Sequence, residues 1–144
     1  FIPWQKGTVR VVGIKDGVEV CEHIVQTPDA PVKLQFEVEE IVVPLEERYE
    51  LQLTVKARDE NGVHCFKENS LVNFRVEGAG EILAVDNGSL INHEPYENSF
   101  VHLHKGSAMV HLRLEGKPER VLVFADAAGL RSAQAVIISE EKEK

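Results

Sequence analysis

The sequence predicts an all-β protein, an antiparallel β-sandwich with an extra N-terminal β-hairpin, and three observations lead there. Apolar and polar residues alternate with a period of two along most of the chain, turn-forming residues separate the runs at intervals of about ten, and no segment sustains a helical period.

The first element is "GTVRVVGIKDGVEVCEHIVQT", two β-rich runs around Lys15-Asp16-Gly17, where Gly17 can take a positive φ. Pro28-Asp29-Ala30-Pro31 follows as a linker, because two prolines in four residues interrupt a ladder. "VKLQFEVE" then alternates Val32, Leu34, Phe36 and Val38 against Lys33, Gln35, Glu37 and Glu39, and "YELQLTVKARD" sets Tyr49, Leu51, Leu53, Val55 and Ala57 on one face. "LVNFRVEG", "EILAV", "SFVHLH", "AMVHLRLEG", "RVLVFADA" and "AQAVIIS" continue the series, with Phe36, Phe74 and Phe124 at expected core positions. The closing "EEKEK" is a charge run that buries nothing. The domain plan is therefore a hairpin over 1–28 from the end of a preceding sandwich, a sandwich over 29–139, and a disordered charged tail over 140–144.

Composition narrows the partners. The 144 residues include 24 acidic against 16 basic ones, a formal charge of -8, which repels phosphate backbones and anionic lipid and argues against nucleic acid and membrane. The longest apolar runs fall far short of the roughly twenty residues of a spanning helix, and the start lacks a signal peptide's layout. Beginning at Phe1 instead of methionine, the chain reads as a fragment or processed product of a larger protein, which leaves its compartment open. Cys21 and Cys65 have no metal or redox spacing and read as free, partly buried thiols.

Catalytic constellations are missing. There is no G-x-S-x-G elbow, and "EGAGE" lacks the Lys-Ser/Thr of a phosphate loop and lies between strands, so Gly78 and Gly80 read as turn residues. Glu81, Asp86 and Glu94 read as loop and surface charges, since a sandwich of this size offers no deep cleft for a glycosidase carboxylate pair. No cofactor is expected.

Two places keep alternatives open. If "VHLH" and "MVHLR" pair across Lys105-Gly106-Ser107-Ala108, then His102, His104 and His111 share one face, with His102 opposite His111, and could hold zinc or nickel. An ordinary polar face is the competing reading, because no acidic partner is built into the strands. In "GEILAVDNGSLINHEPYE", Ile82, Leu83 and Val85 suit a short buried strand and Asp86-Asn87-Gly88 a tight turn. The alternative is a loop presenting Asp86, Asn87, His93, Glu94 and Tyr96 to a saccharide or a neighbouring domain. Asn87-Gly88-Ser89 is also a formal glycosylation acceptor.

The residues also carry a resemblance. Trp4, Gly7, Gly13, Asp16, Gly17, Val25 and Thr27 resemble the last strands of the β-sandwich that follows the catalytic barrel in bacterial family 2 glycoside hydrolases of the β-galactosidase type. From about Ala30 to Ser139 the chain is similar to the immunoglobulin-like C-terminal domain of those enzymes, through Val55, Asp59, Gly62, Val72, Phe74, Gly78, Gly80, Ile82, "VDNG" and "KGSAMVHLR". The resemblance implies a non-catalytic accessory domain that packs on other domains of the parent glycosidase and contacts saccharide. It supplies no catalytic residue. A stand-alone carbohydrate-binding module and an invasin- or adhesin-type repeat remain as alternatives. The module would need exposed aromatics, for which Trp4, Tyr49 and Tyr96 are the candidates among only 6% aromatic residues. The unpartnered hairpin edge predicts a concentration-dependent homodimer.

Overall fold

The computed structural model describes residues 3, 5–116 and 118–141, so Trp4 and the tail residues 142–144 lie outside the described residues. Eleven strands form, β1 (Thr8–Lys15), β2 (Val18–Gln26), β3 (Lys33–Phe36), β4 (Glu40–Pro44), β5 (Arg48–Arg58), β6 (Leu71–Glu77), β7 (Gly80–Asp86), β8 (Phe100–His102), β9 (Ser107–Glu115), β10 (Arg120–Ala127) and β11 (Ala133–Glu140). No described residue is helical.

Nine of these strands make the sandwich. One sheet runs β3-β5-β9-β7 and the other β4-β11-β10-β6-β8. With β3, β5, β9 and β7 in the places of strands A, B, E and D, and β11, β10 and β6 in those of G, F and C, this is the immunoglobulin arrangement. All pairs are antiparallel except β4 with β11, which run parallel from Glu40↔Val136 to Pro44↔Glu140. The chain reaches that position by leaving the first sheet after Phe36 and joining the second at Glu40. This crossing breaks the run expected over Val32–Glu39, so Val38 is exposed instead of buried, and the parallel strand Glu40–Pro44 is not among those the alternation predicts. Glu140, expected in the tail, closes β11.

Between the sheets lies one core. Val55, Ala57, Val110 and Leu112 from the first sheet meet Val72, Val123, Ala125 and Ile137 from the second, each fully shielded from solvent. The alternation is interrupted usefully at β7, where the register slips between Ile82 and Ala84; Ile82 faces Leu112 and Val85 faces Val110 although they are three residues apart. Phe124 is not in this core. Its neighbours Val123 and Ala125 point inward, and its ring lies on the outer face beneath the Arg75 guanidinium at 4.1 Å.

The hairpin stands apart. β1 and β2 pair only with each other around Asp16 (φ 52) and Gly17 (φ 80), the two left-handed residues that a tight hairpin turn requires. One face carries Arg10, which holds Glu19 and Glu22 at 2.8 and 2.6 Å. The other carries Val9, Val11, Val25, His23 and Cys21, with Gly13 opposite Cys21 making room for its sulfur. Val9, Val11 and Val25 remain 48–61% exposed, and Cys21 is exposed where partial burial was expected.

Candidate functional site

All the connections that carry unusual side chains lie at one end of the sandwich. β5 ends at Arg58 beside Lys33, β7 at Asp86 beside Met109, and β6 starts at Leu71 beside His102. The linker after the hairpin, the loop between β5 and β6, and the loop between β7 and β8 therefore share that end.

The linker is pinned there by a buried carboxylate. Asp59, 1% exposed, accepts the Asp29 amide on Oδ2 at 2.9 Å and the Val63 amide on Oδ1 at 2.8 Å. The Asp29 amide, with those of Val63, Asn61 and Gly62, holds the Asp59 carboxyl below its ordinary range against the opposing effect of burial. The Cys65 thiol lies 3.7 Å from the Asp29 carbonyl oxygen and is pushed up by burial. Outside, Lys6 closes on Asp29 at 2.8 Å.

Beside this joint, hairpin and sandwich enclose a groove of about 660 Å³, lined by Val9, Val25, Pro28, Pro31 and Phe66. Phe66 is 62% exposed and leans on the half-buried His64 ring, with centroids 4.1 Å apart. His64 Nε2 donates to the Gly106 carbonyl oxygen at 3.1 Å, and burial lowers its pKa. The apolar face of the hairpin thus opens onto an apolar groove.

The loop after β7 is braced by its own polar side chains. Asp86 Oδ1 accepts the amides of Asn87 and Gly88, and Asn87 uses both ends of its amide, Oδ1 for the Ser89 amide and Nδ2 for the His102 carbonyl oxygen. Glu94 takes the His102 amide at 3.1 Å on Oε2 and lies 2.7 Å from His102 Nδ1 through Oε1. The Tyr96 carbonyl oxygen accepts the Val85 amide at 2.8 Å. Of the five residues predicted to face a partner, Asp86, Asn87 and Glu94 are turned into the loop's own frame, and His93 and Tyr96 are left exposed.

What the frame displays is Leu90 and Ile91, 103% and 82% exposed at the tip of the turn from Ser89 to Asn92. Reasoning from alternation misses them. The signal is nonetheless in "SLIN", two large apolar residues where a turn ordinarily takes Gly, Pro, Asn or Asp.

The three histidines do not converge. β8 pairs with β6 and β9 with β5 and β7, so His102 and His111 stand on opposite outer faces of the sandwich. Only His104↔Ser107 forms of the expected pairing, closed by a turn at Lys105-Gly106 instead of one residue later. His102 has the carboxylate partner that the strands did not reveal, Glu94, and His111 lies 3.9 Å from Glu50. Among the described residues no group of three His, Cys, Asp or Glu side chains is placed to hold a metal ion. No helix among them is long and apolar enough to cross a membrane.

Comparison with known proteins places this geometry. A β-galactosidase of Bacteroides ovatus is 29% identical over 140 residues, which is 97% of this chain and 16% of that protein. A family 2 glycosyl hydrolase of Bacteroides cellulosilyticus superposes with a TM-score of 0.84 at 20% identity, over 94% of this chain and 19% of that one. A β-glycosidase of Bacteroides vulgatus does so with 0.83 at 21% identity, over 95% and 18%. The chain thus spans less than a fifth of the length of these relatives, and the two superpositions establish the shared fold. The model of glycoside hydrolase family 2 C-terminal domain 5 matches residues 34–136, and the chain belongs to that family.

Proposed function

We propose that this chain is a non-catalytic accessory domain at the C-terminal end of a β-galactosidase-like glycoside hydrolase, joined to it through the hairpin of residues 1–28, which completes a preceding β-sandwich. The observation that carries the reading is the state of that hairpin. Two strands with both edges unpaired are marginal alone, and an exposed valine face needs a second layer. The family match over 34–136 leaves the hairpin outside the domain proper, and a relative of which this chain covers 16% has ample chain to supply that layer.

Asp59 then serves as the joint that fixes the linker to the sandwich. The reading of a stand-alone sugar-binding module has less support: of its candidate rings Trp4 lies outside the described residues and Tyr49 is half-buried against the core, and the exposed Tyr96 and Phe66 stand on different loops.

Hydrogen exchange on the full-length parent enzyme tests the proposal. The amides of 8–26 should be protected there and should lose protection in a Val11→Asp, Val25→Asp variant, with a drop in thermal stability. Fast exchange of 8–26 in the unmodified parent, with no effect of the variant, would overturn it.

A further inference from the structure

The turn Ser89–Asn92 presents a second apolar surface, independent of the hairpin. Leu90 and Ile91 project from its tip into solvent, and the polar residues around them hold the tip in place through Asp86, Asn87 and the Glu94–His102 pair. The loop's polar residues brace β7 and β8, but the two exposed aliphatic side chains add nothing to the core of the sandwich, which is complete without them.

Position identifies the occupant. Leu90, Ile91 and Phe66 share the end of the sandwich at which the hairpin enters. The loops at the opposite end, around 45–47, 78–79 and 116–119, contribute no exposed large apolar side chain among the described residues. A domain tethered at its apolar end brings that end against whatever precedes it, and more than four-fifths of the related β-galactosidase lies outside the matched region.

We propose that Leu90 and Ile91 are a docking knob that seats in an apolar depression on the upstream part of the same polypeptide. The proposal rests on the accessory-domain reading and adds a second point of contact, which stops the domain from swinging about its linker. A single tether fixes position; two contacts fix orientation as well.

The test is hydrogen exchange on the full-length parent, with and without Leu90→Asp and Ile91→Asp. Both side chains are exposed, so the double variant leaves the sandwich folded. Peptides covering 87–99 should exchange at least about ten-fold faster in the variant, because two buried aliphatic side chains are lost from the contact. Peptides covering 8–26 should stay protected. If 87–99 already exchanges as fast in the unmodified parent as in the 144-residue chain while 8–26 is protected, the knob is refuted and the accessory-domain reading stands. If both regions exchange fast, both fail. Protection of 87–99 in the 144-residue chain by galacto-oligosaccharides, or by self-association at rising concentration, would instead assign the tip to sugar or to a second copy and overturn the proposal.

Discussion

The hairpin β1–β2 and the pair β5–β9 are written in the same code and meet opposite fates. Both are antiparallel, both place apolar residues at alternate positions, and both have register defined over most of their length. In β9, Val110 and Leu112 are 0% exposed; in the hairpin, Val11 is 61% and Val25 56% exposed. The difference is not in the strands but in what lies opposite them. The face of β9 meets Val72 and Val123 of the second sheet, whereas the valine face of the hairpin opens onto a groove. Alternation makes a strand with two unlike faces, and burial needs another layer.

Substitutions should expose that asymmetry, most strongly in the sandwich. Leu112→Ala opens a cavity between two packed sheets and should cost about 2–5 kcal/mol, read by denaturant unfolding. A loss near that of a surface site would mean that the two sheets are not a fixed core. Gly106→Ala tests the end of the sandwich where the joint sits. Gly106 has φ 72, and a Cβ there would lie 2.3 Å from the Cys65 carbonyl oxygen. The strained turn should cost about 1–3 kcal/mol.

The hairpin should respond least in this chain and more in the parent. Val11→Ala with Val25→Ala should change the stability of the 144-residue chain by no more than about 0.5 kcal/mol, as at other exposed positions. In the parent the same pair should cost about 1 kcal/mol or more per valine if a second layer covers them. Equal effects in both would erase the contrast. Self-association follows from the same contrast, since an uncovered valine face should drive a dimer of the isolated chain, seen by sedimentation as mass rising with concentration.

The most local effect is expected at the joint. Asp59 is held below its ordinary value of 3.8 chiefly by the Asp29 amide, so the bonded form is the charged one. Its contribution is complete above that value and is lost as the pH falls through the lower folded one. The Asp29 and Val63 amide resonances should therefore titrate together with a midpoint below 3.8, and Asp59→Asn should abolish the titration while the core resonances stay put. A midpoint at or above 3.8 would show that the linker is not tied to this carboxylate.

Much of the sandwich is legible in the chain's own pattern. Leu53, Val55 and Ala57 alternate inward as their spacing predicts, and Asp16-Gly17 turns the hairpin as its composition requires. The candidate loop is legible as a loop, but the parts its residues play are not. Asp86, Asn87 and Glu94 look like donors and acceptors awaiting a ligand, yet backbone groups of the loop and of β8 reach them first. Leu90 and Ile91 look like interior residues and are the tip. Phe124 departs from its expected core position for a related reason, since a phenylalanine between Val123 and Ala125 lies by parity on the other face.

By itself, then, the sequence determined where most of the strands and turns form, because period-two alternation and left-handed turn residues act between near neighbours. Tertiary structure alone decided that β8 and β9 belong to different sheets, separating His102 from His111, and that Glu40–Pro44 runs parallel to β11. It also decided which of two alternating apolar faces is covered. Those outcomes depend on contacts between residues far apart in the chain, and side-chain parity says which face a residue occupies without saying what will lie against it.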